Sequence, residues 1–371
     1  MLTDYRNMSN YNIPLLPLPV DLETKPVLKK IAAARSALAE LKGAASGIPN
    51  ESILINTLSL QEAKDSSAIE NIVTTHDELY RTDTLAKQFA TVSAKEVHSY
   101  ADALRRGFGI VKQTGVLTNN HIIQIQSIIE ENSAGFRKLP GTALKNEQTG
   151  ETVYTPPQHQ DEIIELMNNL ERFINDDTMS DLDPLVKMAV IHHQFESIHP
   201  FYDGNGRTGR IINLLYLVQK GLLHIPILYL SRFINRNKAE YYRLLQMVRT
   251  EGAWEAWVMF MLECVEQTSN QTIKQIHGIK NLMLQHKHKL RTELPKIYSQ
   301  DLLNNIFRHP YTKIDFVMKE LNVSRNTASK YLEELVKAEI LSKHQIWKDN
   351  YYINNALYDL LQDLPATALE T

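Results

Sequence analysis

His199-Pro200-Phe201-Tyr202-Asp203-Gly204-Asn205-Gly206-Arg207-Thr208-Gly209-Arg210 sets an imidazole, a carboxylate, three glycines around a small amide, and two guanidiniums within one short stretch. That set suits the holding of a polyphosphate. The amides of Gly204, Asn205 and Gly206 can form an anion nest where a helix begins, and the helix adds its own orphan N–H groups and dipole. Arg207 and Arg210, with Thr208 and Gly209 between them, are three residues apart on that first turn. Both can present planar, bidentate donors to the anion. Asp203 is a hard oxygen ligand suited to Mg²⁺, which takes few protein ligands plus phosphate oxygens. His199 sits one short loop upstream, where a neutral imidazole can take a proton from an incoming hydroxyl.

Two other motifs overlap these residues. Residues 204–209 match G-x-G-x-x-G, but a dinucleotide fingerprint follows a strand and leads to an acidic residue about twenty positions on. Here the upstream segment reads as helix and the downstream one is Tyr229-Leu230-Ser231. Glu196 and His199 form Glu-x-x-His beside His192 and His193, yet a di-iron helical site needs a second such pair, and the chain has none.

Working outward, Asp183 caps and Pro184 opens a helix through Leu185, Met188, Ile191 and Phe195 that delivers His199. After the loop, Ile211, Ile212, Leu214, Leu215, Leu217 and Val218 run apolar nearly all round until Gly221, which predicts a central helix. The loop is therefore expected between two core helices. Before it, residues 160–170 predict a helix with Ile163, Ile164, Leu166, Met167 and Leu170 inward. Residues 147–157, ending in Pro156-Pro157, predict a short hairpin.

Nearer the start, Pro14, Pro17 and Pro19 predict an extended arm, and residues 25–42 a helix ended by Gly43. Asn50 caps a second helix bearing Ile53, Leu54, Leu58, Leu60 and Ala63, which leads into Ser66 and Glu70 on one helical face, then Asn71. Residues 76–115 continue helical, with Val92, Val97, Tyr100, Leu104 and Phe108 inward, and a further helix covers residues 122–132. Beyond the motif, helices are expected over residues 235–250, with Tyr241 and Tyr242, and from Trp254 almost to Leu294. Residues 299–364 read as helix, turn, helix, then two strands at residues 340–342 and 347–353, the pattern of a winged helix.

The 371 residues suggest two or three units, and a net charge of −3 implies no bulk polybasic or polyacidic partner. One cysteine, Cys264, excludes an internal disulfide framework and fits a reducing compartment. Residues 1–10 carry Asp4 and no apolar core of a signal, and the most apolar stretch, residues 211–230, is broken by Gln219, Lys220, His224 and Pro226. A cytoplasmic chain without a membrane partner is the expectation.

The stretch from His199 to Arg210 resembles the motif of the Fic family, H-x-F-x-[D/E]-G-N-G-R-x-x-R, at every specified position. The resemblance implies a mainly α fold: a Fic helical core with a small β-hairpin flap, plus a C-terminal winged helix-turn-helix domain. The units would be residues 1–90, 91–265, 266–298 (a linker helix) and 299–371. It implies a protein adenylyltransferase that moves AMP from ATP to a Tyr, Thr or Ser hydroxyl of a target protein, with Mg²⁺. Carried over by position, His199 is the general base, Phe201 an apolar anchor and Asp203 the Mg²⁺ ligand. Gly204, Asn205 and Gly206 line the phosphate hole, Thr208 and Gly209 continue it, and Arg207 and Arg210 lie on the phosphate chain.

Ser66, Glu70 and Asn71 match the inhibitory pattern [S/T]-x-x-x-E-[G/N] of such proteins. A carboxylate paired with an arginine of the phosphate site would occupy the guanidinium that the γ-phosphate needs, so Glu70 is expected on Arg210. Tyr154-x-Pro156-Pro157 marks the hairpin as the flap that holds a target segment by strand addition. Tyr242 stands where a family helix borders the adenine. Removal of AMP, or transfer of another phosphate-linked group, remains open on the same site. So does a DNA-binding regulator, although Arg325, Lys330 and Lys337 balance Glu333, Glu334 and Glu339, which favours protein docking or a homodimer.

Overall fold

The apolar run behind the glycine loop becomes the helix around which the rest is packed. A computed structural model of the chain describes residues 11–48, 50–75, 78–79, 91–146, 149–308, 310–346 and 349–362. The first helices are α1 (Lys25–Ser46), α2 (Glu51–Ile69), α3 (Val92–Thr114) and α4 (Asn119–Glu130). A hairpin of β1 (Leu144–Lys145) and β2 (Thr152–Tyr154) follows, then α5 (Gln160–Asn175), α6 (Pro184–Ile198) and α7 (Asn205–Gln219). Next come α8 (Leu230–Arg236), α9 (Lys238–Glu251) and the long α10 (Trp254–Glu293). The C-terminal elements are α11 (Gln300–Arg308), β3 (Tyr311–Thr312), α12 (Ile314–Leu321), α13 (Arg325–Lys337), β4 (Ser342–Ile346), β5 (Asp349–Ile353) and α14 (Asn355–Gln362).

Local chemistry sets the helix ends. Asn50 accepts the Ser52 N–H at 3.0 Å to start α2, and Asp183 accepts the Leu185 N–H at 2.8 Å ahead of Pro184 to start α6. Thr118 and His121 form a reciprocal capping box on α4. α6 and α7 are buried on nearly every side, and α7 is flanked by α3, α4 and α6. α1 lies along α10, and α2 lies against α3 and α8. Small residues let some of these helices cross closely. At Gly107 of α3, for instance, a Cβ would stand 2.6 Å from Leu215 of α7.

The C-terminal elements run helix, turn, helix and two strands, and β3 joins their sheet by pairing to β5, which also pairs with β4. Their core joins that of the preceding helices: α11 packs on α2, and Leu360 of α14 meets α10 where Gly278 has no side chain.

Several expectations shift. α1 continues through Gly43, where a side chain would meet open space, and ends at Gly47. Val92 and Ile164 face outward, Val92 because it opens the first turn of α3. The segment before residue 235 contains a separate short helix, α8, and β3 carries no sequence signal because it is only two residues long. The first hairpin strand begins earlier than residue 147. Residues 147–148, the helix expected from residue 76 to residue 90 apart from residues 78–79, the chain ends and residues 347–348 of the expected wing lie outside the described residues. Among the described residues no helix is long and apolar enough to cross a membrane.

Candidate active site

α6 stops at His199, whose backbone turns left-handed at φ 49°, ψ 58° while its N–H closes onto the Phe195 carbonyl at 2.9 Å. A non-glycine residue in that region is strained and persists only where its surroundings hold it. Arg137 supplies the hold. Its Nε donates to the His199 carbonyl at 2.8 Å, Nη2 donates to the carbonyls of Ile198 and Pro157, and its own N–H donates to Pro200 at 2.8 Å. Phe201 is fully buried between Phe136 and Phe195, with ring centroids 5.3 and 6.4 Å away. The Asn205 side chain closes the loop, accepting from Phe201 N–H at 2.9 Å and donating to the Phe201 carbonyl at 2.8 Å. Asn205 is thus a brace rather than a side chain lining an anion hole. Gly204, at φ 77°, opens α7.

Burial pushes the His199 imidazole down to about 4, with the Arg137 and Arg249 charges adding to the shift against Glu70 and the Glu196 carbonyl. The ring is therefore neutral at pH 7, as a general base requires. Asp203, four residues on, is exposed, with Oδ1 oriented by the Gly204 N–H at 2.7 Å. Among the described residues no group of three or more His, Cys, Asp or Glu could cage a metal. A single exposed carboxylate fits Mg²⁺ that arrives with phosphate oxygens, which is how that ion is usually bound.

Arg210 is 1% exposed and all its hydrogen bonds described here run to the end of α2. Nε donates to Ser66 Oγ at 2.8 Å, and Nη2 donates to the Ser66 carbonyl at 3.0 Å and to Glu70 Oε1 at 2.8 Å. Despite burial, the Arg210 charge holds the Glu70 carboxyl below its ordinary range, and burial of Arg210 is outweighed chiefly by Glu70, which raises the guanidinium. The Glu70 carboxylate lies over the start of α7, because a Cβ on Gly206 would fall on its Oε1 and 3.0 Å from Arg210 Nη1. Asn71, at φ 61°, accepts from Lys238 Nζ at 3.0 Å.

Arg207 differs from expectation. Its guanidinium pairs with Glu130 at 2.7 Å and Glu96 at 3.2 Å, so it ties α7 to α4 and α3 instead of facing an anion. Thr208 and Gly209 are buried within α7, and Gly209 faces Glu196. Tyr154 is buried too: its hydroxyl donates to the Ser197 carbonyl at 2.8 Å, and the Arg249 guanidinium lies 3.9 Å over its ring. Together with buried Pro156 and Pro157, it pins the hairpin to α6. Tyr242 is 45% exposed on α9, edge-on to Tyr241 at 5.1 Å. Sequence reasoning did not single out Arg137, Glu130, Glu96 or Arg249. Each is a lone charged residue outside any motif, so no spacing marks it.

Among the C-terminal elements, Arg325 pairs with Asp315 at 2.9 Å, Lys337 with Glu334 at 3.0 Å and Lys343 with Glu333 at 2.6 Å. These pairs reduce the positive field that nucleic-acid binding draws on.

A neutral imidazole at the end of a core helix and a buried arginine paired with a carboxylate mark the site, and comparison with known proteins gives its class. The chain matches the Fic/DOC family N-terminal region over residues 28–109 and the Fic/DOC family over residues 116–217. Residues 282–357 match the C-terminal domain of the protein adenylyltransferase SoFic-like family. The chain belongs to the Fic family.

Among curated relatives, it is 33% identical over 103 residues to Protein adenylyltransferase Fic of Drosophila erecta, covering 28% of this chain and 19% of that protein. It is 25% identical over 193 residues to the protein of the same name in Drosophila ananassae, covering 51% and 37%. The chain therefore spans well under half the length of these relatives. Its fold is similar to a Fic family protein from Desulfovibrio desulfuricans G20, with TM-score 0.56, 18% identity and coverage of 89% and 96%. It is also similar to a Fic domain containing signaling protein from Bacteroides thetaiotaomicron, with TM-score 0.53, 17% identity and coverage of 67% and 97%.

Proposed function

We propose that the chain is a protein adenylyltransferase that transfers AMP from ATP to a Tyr, Thr or Ser hydroxyl of a target protein and is restrained by Glu70. The observation that carries this reading is the position of Glu70: a carboxylate occupies the glycine-lined start of α7 and binds Arg210 there, where a phosphate would be bound. The curated relatives named protein adenylyltransferase support it.

In the proposed step, the target hydroxyl oxygen attacks the α-phosphorus in line while neutral His199 takes its proton. The bond from the α-phosphorus to the bridging oxygen breaks, and pyrophosphate leaves with the electron pair. Arg210 and the amides opening α7 receive the charge on the departing phosphates. Asp203 would hold Mg²⁺, which supplies further charge neutralisation there. Arg137 and Asn205 act by fixing the backbone of the loop that carries the base.

The test incubates wild type, Glu70→Gly and Glu70→Gly/His199→Ala proteins with α-labelled ATP and Mg²⁺, alone and with cell lysate. Label should rise in the single variant and fall about 10²- to 10⁴-fold when the base is removed. No label in any sample would defeat the transfer reading.

A further inference from the structure

The proposed transfer leaves one buried carboxyl unused. Glu196 lies on the last turn of α6, three residues before His199, and is 8% exposed. Its carboxyl turns toward α7 and fills the space left by the missing side chain of Gly209: a Cβ there would stand 2.7 Å from Glu196 Oε1 and 3.0 Å from the Phe195 ring. That oxygen is buried and has no hydrogen-bond partner among the described residues. Buried polar atoms are nearly always paired, so an acceptor left open asks for a reason.

The groups around it supply one. Arg210 comes from α7, Arg249 and Tyr241 from α9, and Glu70 from the end of α2; His192 approaches the same Gly209 site from α6, its Nε2 2.9 Å from the Tyr241 hydroxyl. The bonds from Arg210 to Ser66 Oγ, the Ser66 carbonyl and Glu70 all end on one short segment. If that segment moves to admit a phosphate, Arg210 loses all of them together, and a buried guanidinium without a counter-charge is costly. Glu62 also lies within the field of Arg210, but it already accepts from Ser231 N–H, Ser231 Oγ and the Tyr100 hydroxyl. Glu196 has the open acceptor.

We propose that Glu196 is a positioning residue that takes over Arg210 when Glu70 is displaced, holding the guanidinium in line for the phosphate chain before a nucleotide arrives. The inference rests on the reading that Glu70 gives way to a phosphate. Gly209 is the space that lets the carboxylate reach its place, a requirement at a position the family motif leaves open. Burial pushes the Glu196 carboxyl up to about 7, with Arg210 and Arg249 opposing and Glu70 adding to the rise. Departure of Glu70 removes a like charge and favours the ionised form that Arg210 needs.

The test is a double-variant cycle on the full chain, read by denaturant unfolding at pH 7.5 with Glu70→Gly, Glu196→Gln and both. If the two carboxylates share Arg210, the double variant loses about tenfold more of its folded-to-unfolded ratio than the single losses multiplied together. ATP with Mg²⁺ restores more stability to the double variant than to Glu70→Gly. A role confined to packing predicts neither effect. Gly209→Ala, which pushes the carboxyl aside but keeps its charge, should show the same excess loss in the Glu70→Gly background. Independent, multiplicative losses for both pairs would overturn the proposal. The cycle needs no AMP transfer, so absence of labelling in every variant would defeat the transferase reading and leave this one to be decided by the stabilities.

Discussion

Glu70 Oε1 accepts a hydrogen bond from Arg210 Nη2 at 2.8 Å, and the same oxygen stands where a side chain on Gly206 would be. One carboxylate thereby covers both the guanidinium and the backbone at the start of α7. Removing it should open both. Glu70→Gly is expected to tighten ATP binding at least about tenfold, the worth of one charge-assisted hydrogen bond released from competition. Ser66→Ala, which deprives Arg210 Nε of a neutral acceptor and leaves Glu70 in place, should change it by less. Titration calorimetry gives both affinities, and a larger effect from Ser66→Ala would contradict the blocking role of Glu70.

The lowered His199 imidazole predicts an unusual pH profile. An unperturbed histidine loses half its neutral form near pH 6.5, whereas this one, pushed down to about 4 mainly by burial, stays neutral until the pH falls much further. Because the neutral ring is the proposed base, labelling by Glu70→Gly should be flat from pH 8 to 6 and fall only as the solution approaches pH 4. A rate profile with half-loss at pH 6.5 would place the titrating base elsewhere or show that the loop opens before the step.

Much of this site was legible from the residues because its parts lie together in the chain. The loop from His199 to Arg210 has glycine, proline and charge signals in one window, and Ser66 and Glu70 share a helical face. The helices around it announced themselves by long apolar faces, Asn50 and Asp183 marking two starts. Spacing could not show direction in three dimensions. Arg207 and Arg210 look equivalent at three residues apart, yet only Arg210 meets Glu70, because Glu130 and Glu96 from distant helices claim Arg207. Tyr154 was recognisable as a marker, but its burial depends on Arg249 and Ser197, about ninety-five and forty residues further on. Such pairings are set by tertiary packing, which no local period records.

That division between the two arginines can be measured. Arg207→Ala leaves Glu130 without its partner between α4 and α7, and should cost about 3 kcal/mol of unfolding free energy. Once corrected for the folded fraction, ATP affinity in the Glu70→Gly background should remain. Arg210→Ala in the same background should instead abolish the gain in ATP affinity that Glu70→Gly produces. Denaturant unfolding and calorimetry on both variants separate the roles, and a loss of affinity with unchanged stability in Arg207→Ala would return that residue to the phosphate chain.

Asn205 offers the sharpest test of whether the loop is braced from within. Its side chain satisfies both the N–H and the carbonyl of Phe201, a residue with no exposure to water. Asn205→Ala leaves that donor and acceptor unpaired in the interior, at about 1–3 kcal/mol for each group that finds no substitute. The strained His199 backbone, two residues before Phe201, would then lose one of its supports while Arg137 remains. The expected result is a lower melting temperature together with a fall in kcat for labelling, with ATP affinity in the Glu70→Gly background changed by less than threefold, an energy below about 1 kcal/mol. Asn205→Asp should keep the acceptor for Phe201 N–H and recover part of the stability. If Asn205→Ala instead weakened ATP binding at full stability, the side chain would belong to the anion site and the brace would have to be sought elsewhere in the loop.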